Sequence, residues 1–232
     1  MRKTQRYGMA FTLAAAAPSM LANEDTHSDT ATYSVAFVPS WNPASHALEY
    51  PITHGKQGLV TPIIGATHAN AYRLFEPGTQ PTAGLEKLTE TGMHSPLDAE
   101  TKAAIVARTA GALIEFTEGS PGPVHAPVQM TFDIDHRRPQ VSLVGMIAPS
   151  PDWFYGVSSV ELLKDSRWVP SLVVTAYAWD SGGDAGTTYM AEDMDLEPKA
   201  KTRRADTDLF VRNGEKNPVG VFIFKRVPSD GA

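Results

Sequence analysis

The sequence predicts an all-β protein, an antiparallel β-sandwich with one or two short helices, spanning residues 32–228 as a single domain. Three observations predict it. Segments rich in β-branched and aromatic residues recur along the chain, and clusters of Pro, Gly and Asp separate them. Only two stretches carry a helical signature. The chain also holds 18 prolines, too many for a helix-dominated core. At 232 residues and 42% hydrophobic content it can bury a core without a disulfide or a metal.

The elements follow in order. Residues 32–38, Thr-Tyr-Ser-Val-Ala-Phe-Val, alternate with period two and read as the first strand. Ala83 to Thr91 is long enough for about two helical turns. The run from Asp98 to Arg108 is a better helix, with Asp98 as its expected N-cap. Further strands are expected at 128–134, 140–147, 154–163, 171–178 and 219–227. The segment from Glu192 to Lys216 is polar, charged and without a clear period, and reads as a long surface loop.

The N-terminus has a different character. Arg2, Lys3 and Arg6 precede the short apolar run Gly8 to Ala17, and Pro18 breaks it before Met20-Leu21-Ala22. This is the pattern of a secretory signal peptide, cleaved near Ala22, and it predicts a secreted or periplasmic protein. The polar residues 23–31 read as a flexible leader. No other segment approaches the length of a membrane span, so a membrane-spanning protein is not expected. Three of the 20 basic residues fall within 1–22, which leaves 17 against 26 acidic ones, a balance of −9. Such a surface repels nucleic acid and is compatible with cations. With no cysteine, disulfides, thiol chemistry and Cys-type zinc sites are excluded.

Three aspartates stand out. Asp152 follows Pro149-Ser150-Pro151 and precedes Trp153-Phe154-Tyr155, while Asp180 and Asp184 flank Gly182-Gly183. Proline stiffens the first loop, and glycine lets the second fold tightly. Calcium takes about six to eight oxygens from carboxylates, backbone carbonyls and water, and three aspartates in such loops suit it better than the strict octahedron of magnesium. The same residues also serve as ordinary turn aspartates that bond their own backbone.

Other candidates are weaker. His68 could ligate a metal, act as a base, or be a structural histidine at a loop. The seven histidines show no zinc-ligand spacing. Nucleophile elbows and phosphate-cradling glycine motifs are missing. Glu115, Glu118, Asp133 and Asp135 could supply the carboxylate pair of a glycosidase. Trp41, Trp153, Trp168 and Trp179 fit either a glycan-binding face or a sandwich core.

Several runs resemble the spondin domain, the N-terminal module of the F-spondin and mindin matrix proteins. They are Gly65-Ala66-Thr67-His68 with Tyr72-Arg73-Leu74-Phe75, Gly84-Leu85, Val141 to Val157, and Trp179 to Gly186. The resemblance covers roughly residues 33–190. It implies a C2-type antiparallel sandwich with bound Ca2+, with Asp152, Asp180 and Asp184 as the metal ligands. It implies an extracellular protein or glycan ligand and an adhesion or matrix role rather than an enzyme. The cysteines of the animal members are absent here. Two other function classes remain open: a glycan-active or metal-assisted hydrolase, and a self-associating envelope or biofilm protein.

Overall fold

A computed structural model describes residues 28–53, 56–115 and 128–228. The main strands are β1 (Thr30–Pro39), β2 (Leu59–Val60), β3 (Ile64–His68), β4 (Ala110–Glu115), β5 (Val128–Asp135), β6 (Gln140–Ala148), β7 (Trp153–Glu161), β8 (Ser171–Asp180), β9 (Arg203–Arg204) and β10 (Gly220–Arg226). Two helices, α1 (Ala83–Thr91) and α2 (Leu97–Val106), lie between β3 and β4. The strands are hydrogen-bonded in the order β4-β3-β6-β7-β8-β10-β1-β5, with β2 joined to β6 and β9 joined to β8. The pairings along this path are antiparallel.

One strand links the two layers. Ser171–Ala176 of β8 pair with Lys225–Gly220 of β10, whereas Tyr177–Asp180 pair with Gly156–Trp153 of β7. Between the layers lies the main core, which includes Tyr33, Phe37, Leu143, Trp153, Tyr155 and Phe222. In β1 the buried residues alternate, because one face meets this core and the other meets solvent. Strands β6 and β7 are instead buried on both faces over most of their length. Their outer face meets a second cluster in which Val144 and Phe154 pack against Leu85 and Leu88 of α1 and Leu97 of α2.

Helix α1 begins where Thr82 Oγ1 accepts from the Leu85 N–H at 3.1 Å, and it ends at Gly92 in the left-handed conformation, φ 72°. Gly84 permits the close approach of α2, since a Cβ there would lie 2.5 Å from Leu97 Cα.

The β-sandwich with two short helices is what the sequence predicts, and the six expected strands and both helices are present. Asp98 is not the N-cap of α2. Pro96 holds that position, and Asp98 sits in the first turn, where it pairs with Lys102 at 2.7 Å. Thr30 and Ala31, read with the leader, open β1, and Ala31 is buried. The expected loop 192–216 contains β9, the 3-10 helix Asp208–Phe210 and a small ribbon of 211–212 with 215–216. Their short spans carry no period that a sequence pattern could reveal. The signal peptide, most of the leader and Glu118 lie outside the described residues.

Candidate functional site

Asp152 sits at the tight link between β6 and β7. Ser150 shapes this link: its Oγ donates to the Ile147 carbonyl at 2.5 Å and accepts from the Trp153 N–H at 3.1 Å. The turn drives the Asp152 side chain fully inside the molecule. There its Oδ2 accepts from Ser181 Oγ at 2.9 Å, Gly182 N at 2.8 Å, Gly183 N at 2.8 Å and Asp184 N at 3.2 Å. Three successive backbone N–H groups converging on one oxygen form an anion-binding nest. Gly182 makes it possible, with φ at 87° and a missing Cβ that would otherwise lie 2.5 Å from the Ala200 carbonyl oxygen.

The other carboxylate oxygen, Asp152 Oδ1, is buried and has no hydrogen-bond partner. Burial, and then the charge of Asp180, push this carboxyl up to about 6, against the pull of Ser181 and the loop amides. A buried acceptor without a donor costs about 1–3 kcal/mol, more for a charged group.

Asp180 ends β8. Its Oδ1 accepts from Gly182 N at 2.9 Å, and its Oδ2 takes Arg203 Nη2 at 2.9 Å and Nε at 3.2 Å. Asp184 accepts from Gly186 N at 2.5 Å through Oδ1 and from Met194 N at 2.6 Å through Oδ2. All three aspartates are thus buried on the same pair of loops. Asp152 and Asp180 share the Gly182 N–H, while Asp184 ties the loop to residue 194. The three carboxylates do not close to within 4.8 Å of one another; among the described residues that spacing is met by Glu86, Glu90 and Asp195.

That second acidic group adjoins the same loop. A Cβ on Gly183 would lie 3.3 Å from both Glu86 Cγ and Glu90 Oε1. Lys199 fills it, bonding Glu86 at 2.8 Å as well as Asp195 and reaching the Gly183 carbonyl at 3.5 Å. Around the 180–184 loop, the six carboxylates of Asp152, Asp180, Asp184, Glu86, Glu90 and Asp195 therefore face two paired cations, Lys199 and Arg203. The i, i+4 spacing of Glu86 and Glu90 on α1 was the available sequence signal; their proximity to residue 195 had none.

His68 lies in β3 and is fully buried. Its Nδ1–H donates to the Ala69 carbonyl at 2.9 Å, so Nε2 accepts from Ser142 Oγ at 2.7 Å. Burial lowers its basicity. This is the bonding of a structural histidine.

Glu115 bonds His94 at 3.1 Å, Asp133 accepts from Thr32 Oγ1 at 2.7 Å, and Asp135 holds Arg138 at 2.7 Å. Each of these carboxylates is engaged with its own neighbour. Trp41, Trp153, Trp168 and Trp179 are all buried and belong to the core clusters rather than to an exposed glycan platform.

The chain is 28% identical to spondin-1 of Xenopus laevis over 211 residues, which is 87% of this chain and 26% of that protein. It is 29% identical to human spondin-1 over 177 residues, 75% of this chain and 22% of that protein. Against human spondin-2 it is 27% identical over 169 residues, 73% of this chain and 50% of that protein. The chain therefore spans about a quarter of the spondin-1 proteins and half of human spondin-2. The sequence model of the Spondin_N family matches residues 31–217, and the chain belongs to that family, the spondin N-terminal domain.

Proposed function

We propose that this protein is a secreted, calcium-binding spondin domain that acts as an extracellular binding, adhesion or matrix module and not as an enzyme. Asp152, Asp180 and Asp184 would hold the ion, which would lock the Asp152 turn against the 180–184 loop. The observation that carries this reading is Asp152 Oδ1, a buried carboxylate oxygen without a donor at the centre of an acidic loop cluster. A cation supplies what that atom lacks, and oxygen-only donors suit calcium. The three carboxylates do not close to within 4.8 Å of one another, so binding the ion would require them to move together. Arg203 competes for Asp180 and would yield part of its hold.

The basic and apolar N-terminal pattern supports export, and the kinship with spondin-1 and spondin-2 supports an extracellular module. Among the described residues no helix is long and apolar enough to cross a membrane.

The test is thermal unfolding in calcium and in chelator. An ion at about 100 times its Kd stabilises by about 2.7 kcal/mol, which for a domain of this size raises Tm by roughly 5–10 °C. Asp152→Asn keeps the shape of the side chain and removes its charge, so the variant should fold and lose that rise. An unchanged Tm in the wild-type protein would contradict the calcium reading. A variant that fails to fold would make Asp152 a purely structural cap of the loop.

A further inference from the structure

A cleft opens where β7 and β8 part. The two strands pair only as far as Tyr177↔Gly156, after which the N-terminal half of β8 turns to β10. On the β7 side, Ser158 and Ser159 have no register partner on β6 or β8, and Ser159 adopts φ 53°. The gap between the strands has a volume of about 380 Å³ and is lined by Arg73, Ser158, Ser159, Thr175, Trp179 and Arg204 among others. This volume is at the small end of the roughly 300–1,000 Å³ of small-ligand pockets.

The wall is braced from behind. Ser159 N donates to Ser142 Oγ at 3.0 Å, and Ser142 Oγ bonds the buried His68 at 2.7 Å. Ser159 Oγ in turn accepts from Arg73 Nε at 3.1 Å. The buried histidine thus fixes the bulge that shapes one side of the cleft.

Arg204 is the unusual group. Its guanidinium lies 3.8 Å from the Trp179 ring centroid and 4.6 Å from that of Tyr177. Its Nη1 is buried without a hydrogen-bond partner, and among the described residues no carboxylate pairs with it. Arg203, one residue earlier, is ion-paired with Asp180, and Arg73 in the same cleft is balanced by Glu76 at 3.1 Å. Aromatic faces stabilise a cation by about 0.5–2 kcal/mol but accept none of its in-plane N–H bonds. A carboxylate does accept them, two at a time and in the plane of the fork.

We propose that the cleft between β7 and β8 binds a small carboxylate-bearing ligand through Arg204. The carboxylate would bond the N–H groups that Arg204 presents to the cleft it lines, and the Ser158 and Thr175 sides would contact the body of the ligand. The source is a free organic acid or a single uronic acid residue of a glycan. The cleft does not use the aspartates of the calcium reading, so it is tested in calcium-free buffer after the chelator, itself a polycarboxylate, has been dialysed away.

The experiment is an amide-resolved NMR titration of the chain without residues 1–22, using glucuronate, succinate and uncharged glucose as probes. Saturable shifts at Val157–Val160 and Thr175 are expected with glucuronate, with succinate or with both; glucuronate alone identifies an acidic sugar as the source, and any response to succinate a general carboxylate site. Glucose should leave these amides unmoved. Arg204→Gln should weaken binding at least tenfold. Because that change also removes the stacking on Trp179, Thr175→Trp serves as a second variant that fills the cleft from an exposed position and should block binding in a folded protein. Equal shifts with glucose, no saturable shift with either acid, or undiminished binding in either folded variant would overturn the proposal.

Discussion

Asp152 shows how far single residues could be read. The Pro-Ser-Pro-Asp-Trp run marked it as a stiffened carboxylate, and the structure buries it completely at that turn. Its role as the acceptor for four donors from residues 181–184 was not legible. That depends on β7 and β8 pairing so that Asp180 stands opposite Trp153, which brings together loops about thirty residues apart in sequence. His46 was equally silent. It is buried beside Phe210, and burial, reinforced by the charge of Arg212, drives its pKa down to about 4. A base with a depressed folded pKa is neutral in the fold, so the unfolded chain takes up more protons below about 6.5. Its contribution is present above pH 6.5 and lost as pH falls toward 4, by up to about 3 kcal/mol. Urea denaturation at pH 7 and pH 4.5 should therefore show a smaller acid loss for His46→Gln than for the wild type. Equal losses would mean that His46 titrates normally in the folded protein.

At the scale of elements, legibility followed length. Strands β1, β5, β6, β7, β8 and β10 have seven or more residues and carry alternation or sustained burial, and each was evident as a segment. The short β3, Ile64–His68, carries only Ile64 and Thr67 as strand formers, and its Gly and Ala weaken the signal, so it was not among the expected strands. It is a strand because β4 and β6 flank it on both edges. Helix α1 was expected over Ala83 to Thr91 without its caps, Thr82 and Gly92, and its reason for existing is the apolar outer face of β6 and β7. Leu88 is fully buried in that contact. Leu88→Ala should cost about 2–5 kcal/mol by leaving a cavity between helix and sheet. The check is the urea midpoint at constant m; a cost below about 1 kcal/mol would mean that α1 is not anchored through this residue.

At the scale of the whole molecule, the sandwich class followed from strand spacing, but the passage of β8 from one layer to the other did not. That passage creates two consequences at once. Its C-terminal end delivers Asp180 to the loop that wraps Asp152, and its departure from β7 opens the cleft beside Arg204. Charge is distributed accordingly. Six carboxylates against two cations gather at the loop end, whereas Arg204 pairs with no carboxylate among the described residues. The central claim concerns that acidic end, and calorimetric titration of calcium into chelator-stripped protein tests it most directly. The account predicts saturable binding at one ion per chain that is lost in a folded Asp152→Asn variant. Absence of binding heat at several temperatures, or the same isotherm in the variant, would contradict it.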